Sequence, residues 1–148
     1  MMELFIELFK NKIFLSVLFA GVIAQLIKWI IHPRDNRGLF SFLVASGGMP
    51  SAHAAAVSAL VTAVYWTEGV STLLVLAIVL TVIVIIDALG VRYATGENTM
   101  KINRLITILH QQFNVRLQHA KVLFGHTISQ VIVGILLGFF ITVWVFSL

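Results

Sequence analysis

The chain has 148 residues, of which 59% are hydrophobic and only 11% charged, with a mean hydropathy of +1.02. Soluble domains carry about 25% charged residues, so this composition excludes an ordinary water-soluble domain. There are no cysteines, which removes disulfides and thiolate metal sites, and the net charge of +4 is scattered at the ends of apolar segments, which argues against a nucleic-acid partner.

The chain opens on a short amphipathic stretch in which Leu4, Phe5, Leu8 and Phe9 offset Glu3, Glu7, Lys10 and Lys12, the pattern of a helix lying in the membrane interface. A first span is expected at about residues 13–31, long enough and apolar enough to cross a bilayer. A polar loop follows with His32, Pro33, Arg34, Asp35, Asn36 and Arg37, then an apolar stretch, Leu39 to Ala45, too short to span. A second span is expected at about 51–66. Its Ala52, Ala55, Ala56, Ala59 and Ala63 allow close backbone approach, which places it centrally in a bundle. The third span, about 73–89, is dominated by Val, Ile and Leu and reads as lipid-exposed.

Between the third and last spans, Ile102, Leu105, Ile106, Leu109, Phe113 and Leu117 recur at helical spacing opposite Lys101, Arg104, Gln111, Asn114 and Gln118. This predicts an amphipathic surface helix over about 98–118. The last span, about 128–146, carries Gly134 and Gly138 at four-residue spacing and Trp144 as an interfacial anchor. The expected fold is therefore an all-α membrane protein, residues 1–148 forming a single domain. It is a bundle of about four transmembrane helices with one or two interfacial amphipathic helices. The small-residue faces permit a homodimer. Four spans put both longer loops on one side, with Arg34, Arg37, Arg92, Lys101, Arg104, Arg116 and Lys121. The positive-inside rule assigns that side to the cytoplasm.

Chemistry concentrates on the same side. Ser46-Gly47-Gly48-Met49-Pro50-Ser51-Ala52-His53 runs straight into the second span, with Ser51 placed to cap the helix. Glycines that admit close approach, and a helix start with free N–H donors, make an anion cradle with a histidine at its lip. The ordinary alternative is a glycine loop and a capped helix. His126 enters the last span on the same face, and Gln130, four residues on, lies within reach of its ring. Two histidines flanking a phosphate can share the work of nucleophile and general acid. Lys28 and Asp87 sit at membrane boundaries, where an ionised group costs about 2.5–3.5 kcal/mol at a helix centre, so each is expected to be paired or functional. Arg92 suits a bidentate phosphate clamp. A metal site drawn from His32, His53, His110, His119, His126 and Glu97 matches no short metal motif, so no metal or other cofactor is expected.

The stretch Gly47-Gly48-Met49-Pro50-Ser51-Ala52-His53, then Asp87-Ala88-Leu89-Gly90-Val91-Arg92, then Gly125-His126, resembles a divergent bacterial and plastid branch of the type-2 phosphatidic-acid phosphatase and vanadium haloperoxidase superfamily. The resemblance covers about residues 20 to 140. It implies a metal-independent phosphoric ester hydrolase or phosphotransferase of the bacterial inner membrane, acting on a lipid phosphate or diphosphate. His126 would form a phosphohistidine, and His53 would protonate the leaving alcohol and then activate water. Lys28, Arg34, Gly48, Ser51 and Arg92 would hold the phosphoryl oxygens, with Asp87 beside them.

The chain departs from the superfamily in three places. Gln130 stands where an aspartate normally partners the nucleophilic histidine. Lys28 and Arg34 have five residues between them rather than six, with Pro33 ahead of the arginine. Arg92 and His126, normally close in sequence, are separated by the surface helix. A catalytically weak or inactive homologue that binds anionic lipid is the alternative expectation, and a small transporter is a third.

Overall fold

The computed structural model describes residues 2–31, 48–122 and 125–148, and the regular structure among these residues is helical, without strands. Six helices follow in order: α1 Met2–Lys10, α2 Lys12–Ile31, α3 Ala52–Glu68, α4 Thr72–Ile86, α5 Arg92–Phe113 and α6 Ile128–Ser147. The starts are set by polar caps. Asn11 Oδ1 accepts from Ile13 and Phe14 N–H, Ser51 Oγ from Ala54 N–H, Ser71 Oγ from Leu74 N–H, and Thr127 Oγ1 from Gln130 N–H.

Among the described residues three helices are long and apolar enough to cross a membrane: α2, the helix that begins with α4, and α6. At 1.5 Å per residue, α2 and α6 reach about 30 Å, the thickness of a hydrocarbon core. The fourth member, α3, has 17 residues, about 25 Å, and is enclosed by α2, α4 and α6. The expected bundle of about four helices is thus the observed architecture. The stretch at 39–45 and the residues Arg34 and Arg37 lie outside the described residues.

Small residues decide how tightly α3 is held. Ala55, Ala59 and Ala63 are wholly buried. Against them α6 presents Gly134 and Gly138; a Cβ at Gly134 would fall 2.5 Å from the Ser51 carbonyl oxygen, and one at Gly138 would fall 2.1 Å from that of Ala55. Two hydroxyls fasten the contact, Ser58 Oγ to Ile135 O at 2.8 Å and Thr142 Oγ1 to Ala59 O at 3.4 Å. Ser16, Ala20, Ala24 and Lys28, four residues apart, form the buried stripe of α2. By contrast α4 buries only Leu74 and Ala77, as a lipid-facing helix should.

At the end of the bundle remote from the histidines, Lys12 Nζ donates to Phe146 O at 3.4 Å and lies 5.6 Å from the centre of its ring. Trp66 meets Phe139 and Phe146 there, and Trp144 meets Phe19. The start of α2 therefore faces the end of α6, and the helices alternate in direction.

The surface helix differs from expectation. It is not a separate element over 98–118. The third span passes through a single π-helical turn, Asp87–Val91, into α5, giving one helix from Thr72 to Phe113. Its end is fixed at Asn114, whose left-handed conformation (φ 53°) reverses the chain. Periodicity alone extended the element to Leu117 because apolar residues continue beyond the cap. Of the expected apolar stripe, Ile102, Leu105, Leu109, Phe113 and Leu117 are exposed, whereas Ile106 is buried.

Candidate active site

Alternation of helix direction brings four segments to one end of the bundle: the last turn of α2 with Lys28, the entry to α3 with Ser51 and His53, the π-turn with Asp87 and Arg92, and the entry to α6 with His126. The backbone locks two of them together, since Ser51 N–H donates to Gln130 O at 3.0 Å. The rings of His53 and His126 then lie with centroids 6.4 Å apart, inclined at 58°. Seventy-three positions of sequence separate these two imidazoles.

His126 is buried, 5% exposed, and held from three directions. Its backbone N–H donates to Ala88 O at 3.0 Å. Gly125 beside it fits flat against the π-turn, where a Cβ would fall 2.7 Å from Tyr93 N and 2.8 Å from Ala88 O. Its Nδ1 lies 3.1 Å from Gln130 Oε1, and that same oxygen accepts the Thr127 N–H at 3.1 Å as part of a capping box. The second bond settles the first. A backbone N–H can only donate, so the atom facing it is the amide oxygen, and an oxygen facing Nδ1 requires the proton on Nδ1. His126 Nε2 is therefore left with its lone pair, the form a nucleophilic imidazole needs.

Asp87 and Arg92 pair, Oδ2 to Nε at 3.0 Å, with both side chains about half exposed. Nε is thereby committed, and the two terminal amino groups of Arg92 are its remaining donors. Lys28 is 4% exposed at the end of its stripe, and its charge and that of Arg92 reach both imidazoles. Ser51 is completely enclosed, its Oγ accepting from Ala54 N–H, so its position is that of the cap that fixes the start of α3. Gly48 takes a positive φ of 75°, which favours glycine. Arg34 lies outside the described residues. His110 and His119 are on α5 and the segment after it, bonded to Val115 O and Thr107 Oγ1, away from the pair.

Sequence reasoning missed Gly125 as a packing residue and Ala88 as the carbonyl that anchors His126. The only available signal was a glycine directly before a candidate nucleophile.

Burial holds the His126 imidazole below its ordinary value near 6.5; the Gln130 bond opposes this, while Lys28, His53 and Arg92 add to the depression. The unfolded chain therefore binds more protons between that lowered value and about 6.5. Stability from the neutral ring is complete above 6.5 and is lost as pH falls through this window. In thermal unfolding in detergent between pH 7 and 5, wild type should lose more stability than His126→Gln. Parallel acid slopes in the two proteins would contradict this.

The sequence model of the Divergent PAP2 family matches residues 9–141. An uncharacterized membrane protein of Bacillus subtilis (strain 168), YuiD, is 36% identical over 149 residues, covering 92% of this chain and 94% of the relative. No solved structure gives a significant match.

Proposed function

From the premise that the chain belongs to the Divergent PAP2 family, we propose that it is an integral membrane phosphatase or phosphotransferase for a lipid phosphate or diphosphate. The observation that carries this reading is the pair of facing imidazoles, one of them with Nδ1 protonated and Nε2 left to react. His126 Nε2 attacks phosphorus as the P–O bond to the lipid breaks, and His53 gives its proton to the departing oxygen. His53 then takes a proton from water, which attacks the phosphohistidine, releases phosphate and restores His126 Nε2. Lys28, the amino groups of Arg92 and the N–H donors at the start of α3 stabilise charge on the phosphoryl oxygens. Arg34 and Gly48 belong to the same proposed binding shell, Ser51 serves it by capping the start of α3, and Asp87 orients Arg92. The site faces the cytoplasm in this reading, at headgroup depth.

Purified protein in detergent, given phosphatidate or a prenyl diphosphate, should release phosphate in the presence of EDTA. His126→Ala should reduce release by at least about a thousandfold, as expected when a covalent nucleophile is removed. Turnover that requires added metal, or that survives His126→Ala, would reject the mechanism.

A second reading is favoured by one residue. Gln130 is neutral where the superfamily has a carboxylate, and a neutral partner gives a developing imidazolium no countercharge. A protein that binds anionic lipid without turnover would still have this site. Lipid binding that is indifferent to His126→Ala, with no phosphate release, identifies that case.

A further inference from the structure

The π-turn between α4 and α5 changes which groups the backbone offers to its neighbours. Arg92 N–H donates to Asp87 O, one residue further back than the Ala88 O it would take in an α-helix. Ala88 O instead receives the N–H of His126 at 3.0 Å. Gly125 fits beside that bond, where a Cβ would stand 2.8 Å from Ala88 O and 2.7 Å from Tyr93 N. The acceptor that holds the backbone of His126 is therefore one that the π register leaves open to it.

The side chains of the same two residues belong to the same register. In an α-helix, positions five apart point about 140° from one another around the axis, too far round for a close ion pair. The π-turn winds about one more residue into the turn and brings them toward one side. Asp87 Oδ2 and Arg92 Nε then meet at 3.0 Å. Residues 87 and 92 are thus bonded twice, once through the backbone and once through the side chains, and both bonds require the π register. With both partners about half exposed, the pair adds little to overall stability. Its weight falls on the choice between two backbone registers, where a small bias shifts populations severalfold.

We propose that Asp87 is a positioning residue for His126: its pairing with Arg92 fastens the π register, and that register keeps Ala88 O directed at His126 N–H. This rests on the reading of His126 as nucleophile, but its geometric part does not need turnover. Asp87 touches none of the reacting atoms. Without its carboxylate the turn relaxes toward the α register, and Arg92 N–H competes for Ala88 O. The entry to α6 then loses the bond that seats the imidazole.

The test uses the full chain in detergent, with histidine labelled by nitrogen-15 at its backbone amide. The His126 signal is identified by its loss in His126→Gln. In ligand-free Asp87→Ala, hydrogen exchange at that amide should quicken about fivefold. Arg92→Ala removes the same pair and should quicken it equally, and the double variant should add nothing further, as for two residues acting through one bond. Asp87→Asn, which keeps an oxygen for Arg92 Nε, should exchange within about twofold of wild type, and this separates loss of the bond from general misfolding. With phosphatidate as substrate, kcat of Asp87→Ala should fall about fivefold. Exchange or kcat at the wild-type value in Asp87→Ala would overturn the proposal. An Asp87 that only aimed Arg92 at phosphate would leave the ligand-free amide untouched. Effects that multiply in the double variant would overturn it as well, because the two residues would then act separately. If wild type releases no phosphate, the catalytic reading fails while amide exchange still decides whether Asp87 positions His126.

Discussion

Replacing Gln130 by Glu is expected to raise phosphate release at neutral pH by ten- to a hundredfold. The side chains have the same length, so the oxygen that accepts from His126 Nδ1 and from Thr127 N–H keeps its place. Glutamate is also the ordinary residue at this position of a capping box, so the start of α6 should not suffer. What changes is charge. A carboxylate stabilises the imidazolium character that develops as Nε2 bonds to phosphorus. In the serine-protease triad the loss of such a carboxylate costs about 10⁴ in rate, which bounds the gain available here. The same substitution raises the His126 pKa, so the acid limb of the rate profile should move to higher pH. Steady-state kinetics with phosphatidate across pH 5 to 8 reads both effects. A variant that binds substrate as wild type does, yet is no faster and shows no shifted limb, would mean that His126 does not carry positive charge in the rate-limiting step.

The second large effect concerns the bundle. Gly138→Ala is expected to destabilise the protein by about 3 kcal/mol, at the upper end for overpacking in a filled interior. The added Cβ would stand 2.1 Å from Ala55 O and 3.0 Å from the Ala55 carbonyl carbon and Ala59 N, all backbone atoms that no rotamer change can move. The helices must separate, and Ser58 Oγ–Ile135 O and Thr142 Oγ1–Ala59 O lengthen with them. Gly21→Ala supplies the contrast, because nothing lies within 4 Å of a Cβ there. In mid-helix that change should be neutral or stabilising by up to about 1 kcal/mol. Thermal midpoints in one detergent compare the two. A Gly138→Ala midpoint equal to that of wild type would show that the α3–α6 contact is looser than drawn.

These two expectations come from different levels of the molecule. Gln130 sits four residues from His126, which lies just ahead of the helix, and the capping box at Thr127 folds the Gln130 side chain back to the helix entry, a local arrangement. That contact, the helical class, the central place of the alanine-rich helix and the glycine contact of α6 were all readable from spacing and composition. They depend on local periodicity and on the absence of water from the surroundings, and both are written along the chain. The surface helix was legible only in part. Its apolar stripe was visible, but its continuity with the third span was hidden, because a π-turn leaves no signature in hydropathy.

By itself, then, the sequence determined that this is a helical membrane protein, that Gln130 meets His126, and that polar chemistry collects at one end. Tertiary structure alone decided that Arg92 and His126 adjoin, since the chain leaves along α5, turns at Asn114, and has Gly125 seated against Ala88 and the Arg92–Tyr93 backbone. It also decided that His53 faces His126, which follows from the parallel seating of α3 on α6, both of which start at the same end, and from the Ser51–Gln130 bond. Such meetings depend on how far a segment travels before it turns back, a quantity set by packing, caps and single side-chain bonds rather than by any local pattern.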